Sequence, residues 1–107
     1  MLITLPAPRF MIGQLVHHTL LDYRGVVIDI DETFTETDDW GDLLVEAKPN
    51  EDTPWYRVLV HGQEHETYVA ESHLEPDRSA QPIAHPLITE AFDAFVDGHY
   101  VRIRDMN

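Results

Sequence analysis

Cysteine is absent from the 107 residues, so neither a disulfide framework nor a thiolate metal site can form. Basic residues are scarce: seven stand against 20 acids, for a formal net charge of -13. That balance argues against general nucleic-acid affinity, which comes mainly from neutralising phosphates with Lys and Arg. No apolar run approaches the ~20 residues of a membrane span. Residues Met1 to Pro8 hold one short apolar patch, no leading positive charge and two prolines, which is not a secretory signal. These absences predict a soluble cytoplasmic protein of one domain over 1–107. A chain of this size buries roughly two thirds of its unfolded surface, enough for one modest core.

What charge there is sits unevenly. Residues 1–28 carry a net charge of +1, residues 29–52 carry ten acids and only Lys48, and residues 53–107 carry nine acids and four arginines. The central run reads as a long acidic loop between strands, anchored by Phe34, Trp40 and Leu43-Leu44-Val45. Loops of this length are functional or mobile. Two readings stay open for it, a solubilising loop and a docking surface for a basic partner.

Alternation of apolar and polar residues predicts strands at Gln14 to His18, Arg24 to Asp31, Trp55 to Val60 and His65 to Ala70. In the second, Val26, Ile28 and Ile30 are expected to share one face, with Val27, Asp29 and Asp31 on the other. These faces predict a core of Val16, Val26, Ile28, Ile30, Val58, Val60 and one side of the Tyr68 strand. Gly25, inside a strand, signals a bulge or a close backbone approach. His61-Gly62-Gln63-Glu64 suits a hairpin turn. Glu71 to Glu75 reads as one helical turn stopped by Pro76. Beyond a connector at Arg78 to Pro82, Pro86 starts a helix with Leu87, Ile88, Ala91, Phe92 and Phe95 on one stripe, which Gly98 ends. Val101 and Ile103, alternating with Tyr100, Arg102 and Arg104, predict a last strand. Together these give a mostly β chain, a small barrel of about five antiparallel strands with a short C-terminal helix.

Seven histidines invite a metal site, yet the three or four converging ligands of zinc have no recognisable spacing here, and no cofactor or metal is expected. His61 and His65 flank the proposed turn. His17 and His18, being adjacent, point to opposite strand faces. Clustered His17, His18, His61 and His65 would make a surface basic in mild acid. No nucleophile elbow, cysteine nucleophile or phosphate-cradling glycine loop is present. Asp29 and Asp31 share a strand face but lack a partner that would set one apart as an acid. An enzyme is therefore not expected. Tyr23, Tyr68, Trp55 and Tyr56, with Arg24 and Arg57, offer an aromatic platform for bases or peptide. Trp55 and Tyr56 point to opposite faces, so only the exposed one of the two can join Tyr23, Arg24 and His18.

The words Phe10-Met-Ile-Gly-Gln14, Val16-His-His18, Tyr23-Arg-Gly-Val-Val-Ile-Asp-Ile-Asp31, Pro54-Trp-Tyr56 and His65-Glu-Thr-Tyr-Val-Ala-Glu71 follow one another in order. They resemble the heat shock protein HspQ family, also called YccV-like or the hemimethylated DNA-binding domain. The likeness runs from about 10 to 77, with 83–104 as a helix–strand extension. It implies an SH3-like β-barrel without catalytic activity. It also implies stress induction, a part in degrading denatured or regulatory proteins through the ATP-dependent Lon protease, and binding of hemimethylated DNA at replication origins. A homotrimer is implied as well. His18, Tyr23, Arg24, Trp55, Tyr56, His65 and Tyr68 are the binding candidates, and all seven fall within the quoted words. The acidic body favours the proteolytic role over the DNA alternative.

Overall fold

The computed structural model describes residues 7–33, 43–45 and 52–102, with the backbone alone at 43–45. Its strands are β1 (Leu15–His18), β2 (Arg24–Asp31), β3 (Leu43–Val45), β4 (Trp55–Val60), β5 (Glu66–Ala70), β6 (Leu74–Pro76), β7 (Ala94–Val96) and β8 (His99–Val101). A 3-10 turn, Glu71–His73, and a single short helix, α1 (Ile88–Ala91), complete the described elements. The main sheet runs β3-β5-β4-β2-β1-β6, and β7 pairs with β8 alone. Four of the five strand pairings are antiparallel, while β3 lies parallel to β5. The mostly β class therefore stands. The sheet is open, with β3 and β6 at its two edges, and no closed barrel is formed among the described residues.

β1, β2, β4 and β5 fall where the alternation placed them. The acidic stretch is not one uninterrupted loop, because Leu43–Val45 adds a strand beside Glu66, Thr67 and Tyr68. Phe34 and Trp40 lie outside the described residues, as do Ile103 and Arg104. The 3-10 turn is one residue triplet, and Pro76, which has no N–H to give, sits in the edge strand β6 rather than merely stopping a helix.

The C-terminal helix is far shorter than the apolar stripe implied. It ends at Ala91, and Phe95 lies on β7. Asp97 and Gly98 both take positive φ, 52° and 82°, between the paired residues Val96 and His99. Two successive positive φ values form the tight turn whose twist suits a hairpin, so Gly98 turns a hairpin instead of capping a helix.

Each face of the sheet carries its own core. One face holds Phe10, Val16, Val27, Tyr56, Val58, Val69 and Leu74. The other holds Leu15, Val26 and Leu59, covered by Ile83, Phe92 and Tyr100 from the C-terminal segment. Trp55, Tyr68 and Ala70 form a third cluster, with the two rings stacked at 5.3 Å. Register shifts between Val27 and Asp29, so that Ile28 packs with Val26's cluster and Ile30 with Val27's. Of the expected grouping, Val26 and Ile28 stay together and only Ile30 departs, because the bulge adds a residue and reverses the faces beyond it. Gly25 meets its expectation: a Cβ there would lie 2.4 Å from Val58 Cγ1. Among the described residues no helix is long and apolar enough to cross a membrane.

Candidate binding site

At one end of the sheet the β1–β2 turn and the β4–β5 turn leave a hollow of about 420 Å³ between them. Leu21, Tyr23, Val60, His61, Gln63 and His65 line it, with His18, Thr67 and the main-chain neighbourhood of Tyr68 and Val69 beneath. A concave, mainly apolar space of this size with a few polar groups has the form of a ligand site.

The β1–β2 turn is built around His18, which is 1% exposed. Its Nδ1 accepts the N–H groups of Leu20 at 3.2 Å and Leu21 at 3.0 Å, so the imidazole replaces a main-chain carbonyl in holding the turn. The ring lies 5.0 Å from that of Tyr23 and 5.7 Å from that of His73. Leu20 and Leu21 are thereby held outward, 69% and 68% exposed. The Tyr23 hydroxyl pairs with Thr67 Oγ1 at 2.7 Å, bridging to β5. Across the hollow, His61 Nδ1 accepts the N–H of Ala84 at 2.9 Å, and the carbonyl of His65 accepts from His85 Nε2 at 3.0 Å.

The seven candidate residues are divided by the pleat. His18, Tyr23, His65 and Tyr68 line the hollow. The Tyr68 ring, however, stacks on Trp55 and its hydroxyl donates to Asp31 at 2.5 Å, placing the ring on the face opposite Thr67 and Val69. Arg24 faces the C-terminal segment, donating to Asp77 at 2.7 Å and to the Gln81 carbonyl at 2.6 Å. Trp55 and Tyr56 do point to opposite faces, but both are 0% exposed, so neither is the exposed member expected of the pair. Tyr56 is buried in the cluster with Phe10, Val58 and Val69, and Trp55 in that with Tyr68 and Ala70, so the sheet has no solvent face at that point. Tyr56 instead accepts from the N–H groups of Arg9 and Phe10 and donates to Glu71 at 2.6 Å. Burial, then that bond to Glu71, pushes its hydroxyl pKa well above the ordinary 10.

Sequence reasoning overlooked Leu21, Gln63 and Thr67. The signal for the first was present: two leucines between His18 and Asp22 break the alternation and belong to a turn. The arginines turn largely inward. Arg57 lies 3.8 Å from Glu66, and Arg102 donates to the carbonyls of Ala91 at 2.9 Å and Ile28 at 3.1 Å while covering Phe92. Arg9 and Arg78 are exposed. His17 is turned away from His18, between Asp22 and Glu75 at 2.7 Å each. Among the described residues no three His, Asp or Glu are grouped to hold a metal ion. A second depression, about 630 Å³, runs along Met11, Ile12, Phe92 and Tyr100.

The family model described as hemimethylated DNA-binding protein YccV like matches residues 8–99 of the chain. With that match covering most of its length, this chain belongs to the YccV-like family.

Proposed function

We propose that the chain is a non-enzymatic stress factor of the HspQ type, which binds a protein partner and alters the degradation of denatured or regulatory proteins by the ATP-dependent Lon protease. The observation that carries this reading is the apolar hollow with Leu20 and Leu21 exposed beside it, on a body of net charge -13. Such a surface suits a polypeptide better than a phosphate backbone, since Arg24, Arg57 and Arg102 are engaged within the fold. On this reading the fold is of the SH3-like type and the protein acts in the cytoplasm. Its edges β3 and β6 offer self-association as a homotrimer. The test is ATP-dependent degradation of a denatured substrate by Lon, with and without the protein. A changed rate, blunted in a Leu20→Ser/Leu21→Ser variant, is expected; an unchanged rate at saturating protein overturns the reading.

The second reading, recognition of hemimethylated DNA, is favoured by the description of the matching family. It is measured by fluorescence anisotropy on matched unmethylated and hemimethylated duplexes. Two to four arginine contacts give a slope of log K against log salt no steeper than roughly -4. Submicromolar binding at physiological salt with preference for the hemimethylated duplex would put this reading first.

A further inference from the structure

We infer that the hollow between the β1–β2 and β4–β5 turns receives one bulky apolar side chain of an extended peptide whose neighbouring residues are lysine or arginine. The inference rests on the protein-partner reading and adds to it the chemistry of the segment bound.

The walls select an apolar group. Val60 and Leu21 supply aliphatic surface, and Tyr23 supplies a ring whose hydroxyl is already paired with Thr67. The acceptor nitrogens of His18 and His61 are both occupied by main-chain N–H groups. A polar side chain entering here would lose water and meet few partners, whereas an apolar one gains by leaving water.

The rim selects the flanks. Asp22 directly follows Leu21 and its side chain is 89% exposed, although one oxygen faces His17. Glu64 is exposed between the lining residues Gln63 and His65. Each of the two turns that border the hollow thus carries one acid, Asp22 with an oxygen paired to His17 and Glu64 exposed. At physiological salt fields fade over about 8 Å, so these two act on a seated peptide while the remaining negative charge steers its approach. An acidic segment meets like charge at both turns, and a nucleic-acid strand meets it along its whole length.

The experiment uses the whole protein and three labelled, unstructured dodecapeptides: one phenylalanine among lysines, the same phenylalanine among glutamates, and the lysine peptide with serine replacing phenylalanine. Anisotropy is expected to show binding of the first, with at least about tenfold weaker binding of the other two, as loss of a buried aromatic or of charge pairing implies. Leu21→Ser, at a site exposed enough to leave folding intact, should weaken the first peptide several-fold. Amide shifts on titration should fall at Leu21, Gln63 and Thr67. Equal binding of the serine peptide, preference for glutamates, shifts centred on Met11 and Ile12, displacement by duplex DNA, or occupation by a second copy in sedimentation would each overturn the assignment. If no peptide binds yet Lon degradation still responds, the hollow's assignment falls and the protein-partner reading stands. If neither responds, both fall.

Discussion

Arg24 and Asp77, 53 positions apart, meet at 2.7 Å and fasten β2 to the connector that carries the chain toward its C-terminal segment. Ser79 adds a second donor to the same carboxylate at 2.8 Å. Burial by itself would raise the Asp77 pKa, but the bonds from Arg24 and Ser79 outweigh it and hold the carboxyl below its ordinary 3.8.

For a carboxyl lowered on folding, the stabilisation is complete above about 3.8 and is lost as pH falls through the lower native value. Asp77→Asn should therefore cost about 1–3 kcal/mol at neutral pH. The gap between the two proteins should narrow below the ordinary carboxyl range. Urea titrations at neutral pH and in acid measure both; a gap that stays constant into strong acid contradicts the coupling.

His17 behaves with the opposite sign. Hydrogen bonds to Asp22 first and Glu75 second raise its pKa above 6.5. Its contribution is full below 6.5 and fades as pH rises through the native value. His17→Gln should remove a small fall in stability that the parent shows as pH rises above 6.5. Titration of the imidazole by NMR checks the shift, and an imidazole titrating at or below 6.5 would refute it.

Tyr56→Phe removes one hydroxyl that serves two main-chain N–H groups and Glu71. The Phe10 N–H lies buried, so the loss should reach about 1–3 kcal/mol, more than an exposed hydroxyl would give. A denaturation midpoint unchanged from that of the parent would show that water replaces the hydroxyl at no cost.

Arg102→Ala should loosen the C-terminal hairpin ahead of the main sheet. The guanidinium joins Ala91 on the helix to Ile28 on β2, and the Tyr100 N–H donates nearby to Gly13 at 2.8 Å. Hydrogen exchange at Tyr100 and Phe92 should quicken while Val58 and Val69 keep their protection. Uniform acceleration would mean that hairpin and sheet open as one unit.

The strands of the main sheet were legible where alternation was clean and a turn followed, as in Trp55 to Val60 with Gly62 beyond it. The bulge after Val27 was not, because one inserted residue leaves no mark in composition yet carries Ile30 to the face opposite Ile28. Asp97-Gly98 was legible but misread: the pair is a strong hairpin signal, and the apolar stripe before it imitated a helix. Tyr23 and His65 could not be grouped from sequence, since their meeting depends on how two distant turns approach. The candidate aromatic platform failed for a related reason. Trp55 and Tyr56 looked mutually exclusive only while the second face of the sheet was taken as open to water.

His18, His61 and His85 share one habit with a chemical consequence. Each accepts a main-chain N–H at Nδ1, from Leu20 and Leu21, from Ala84, and from Leu87. The neutral ring in each must then carry its hydrogen on Nε2. A transition metal needs a bare lone pair, so ligation at Nε2 would force the proton across to Nδ1 and tear open the backbone bond there. Three of the seven imidazoles are thus committed as stand-ins for carbonyl oxygens. The chain should grip chelated nickel less firmly than its histidine content suggests, and hold more firmly once unfolding has released those rings.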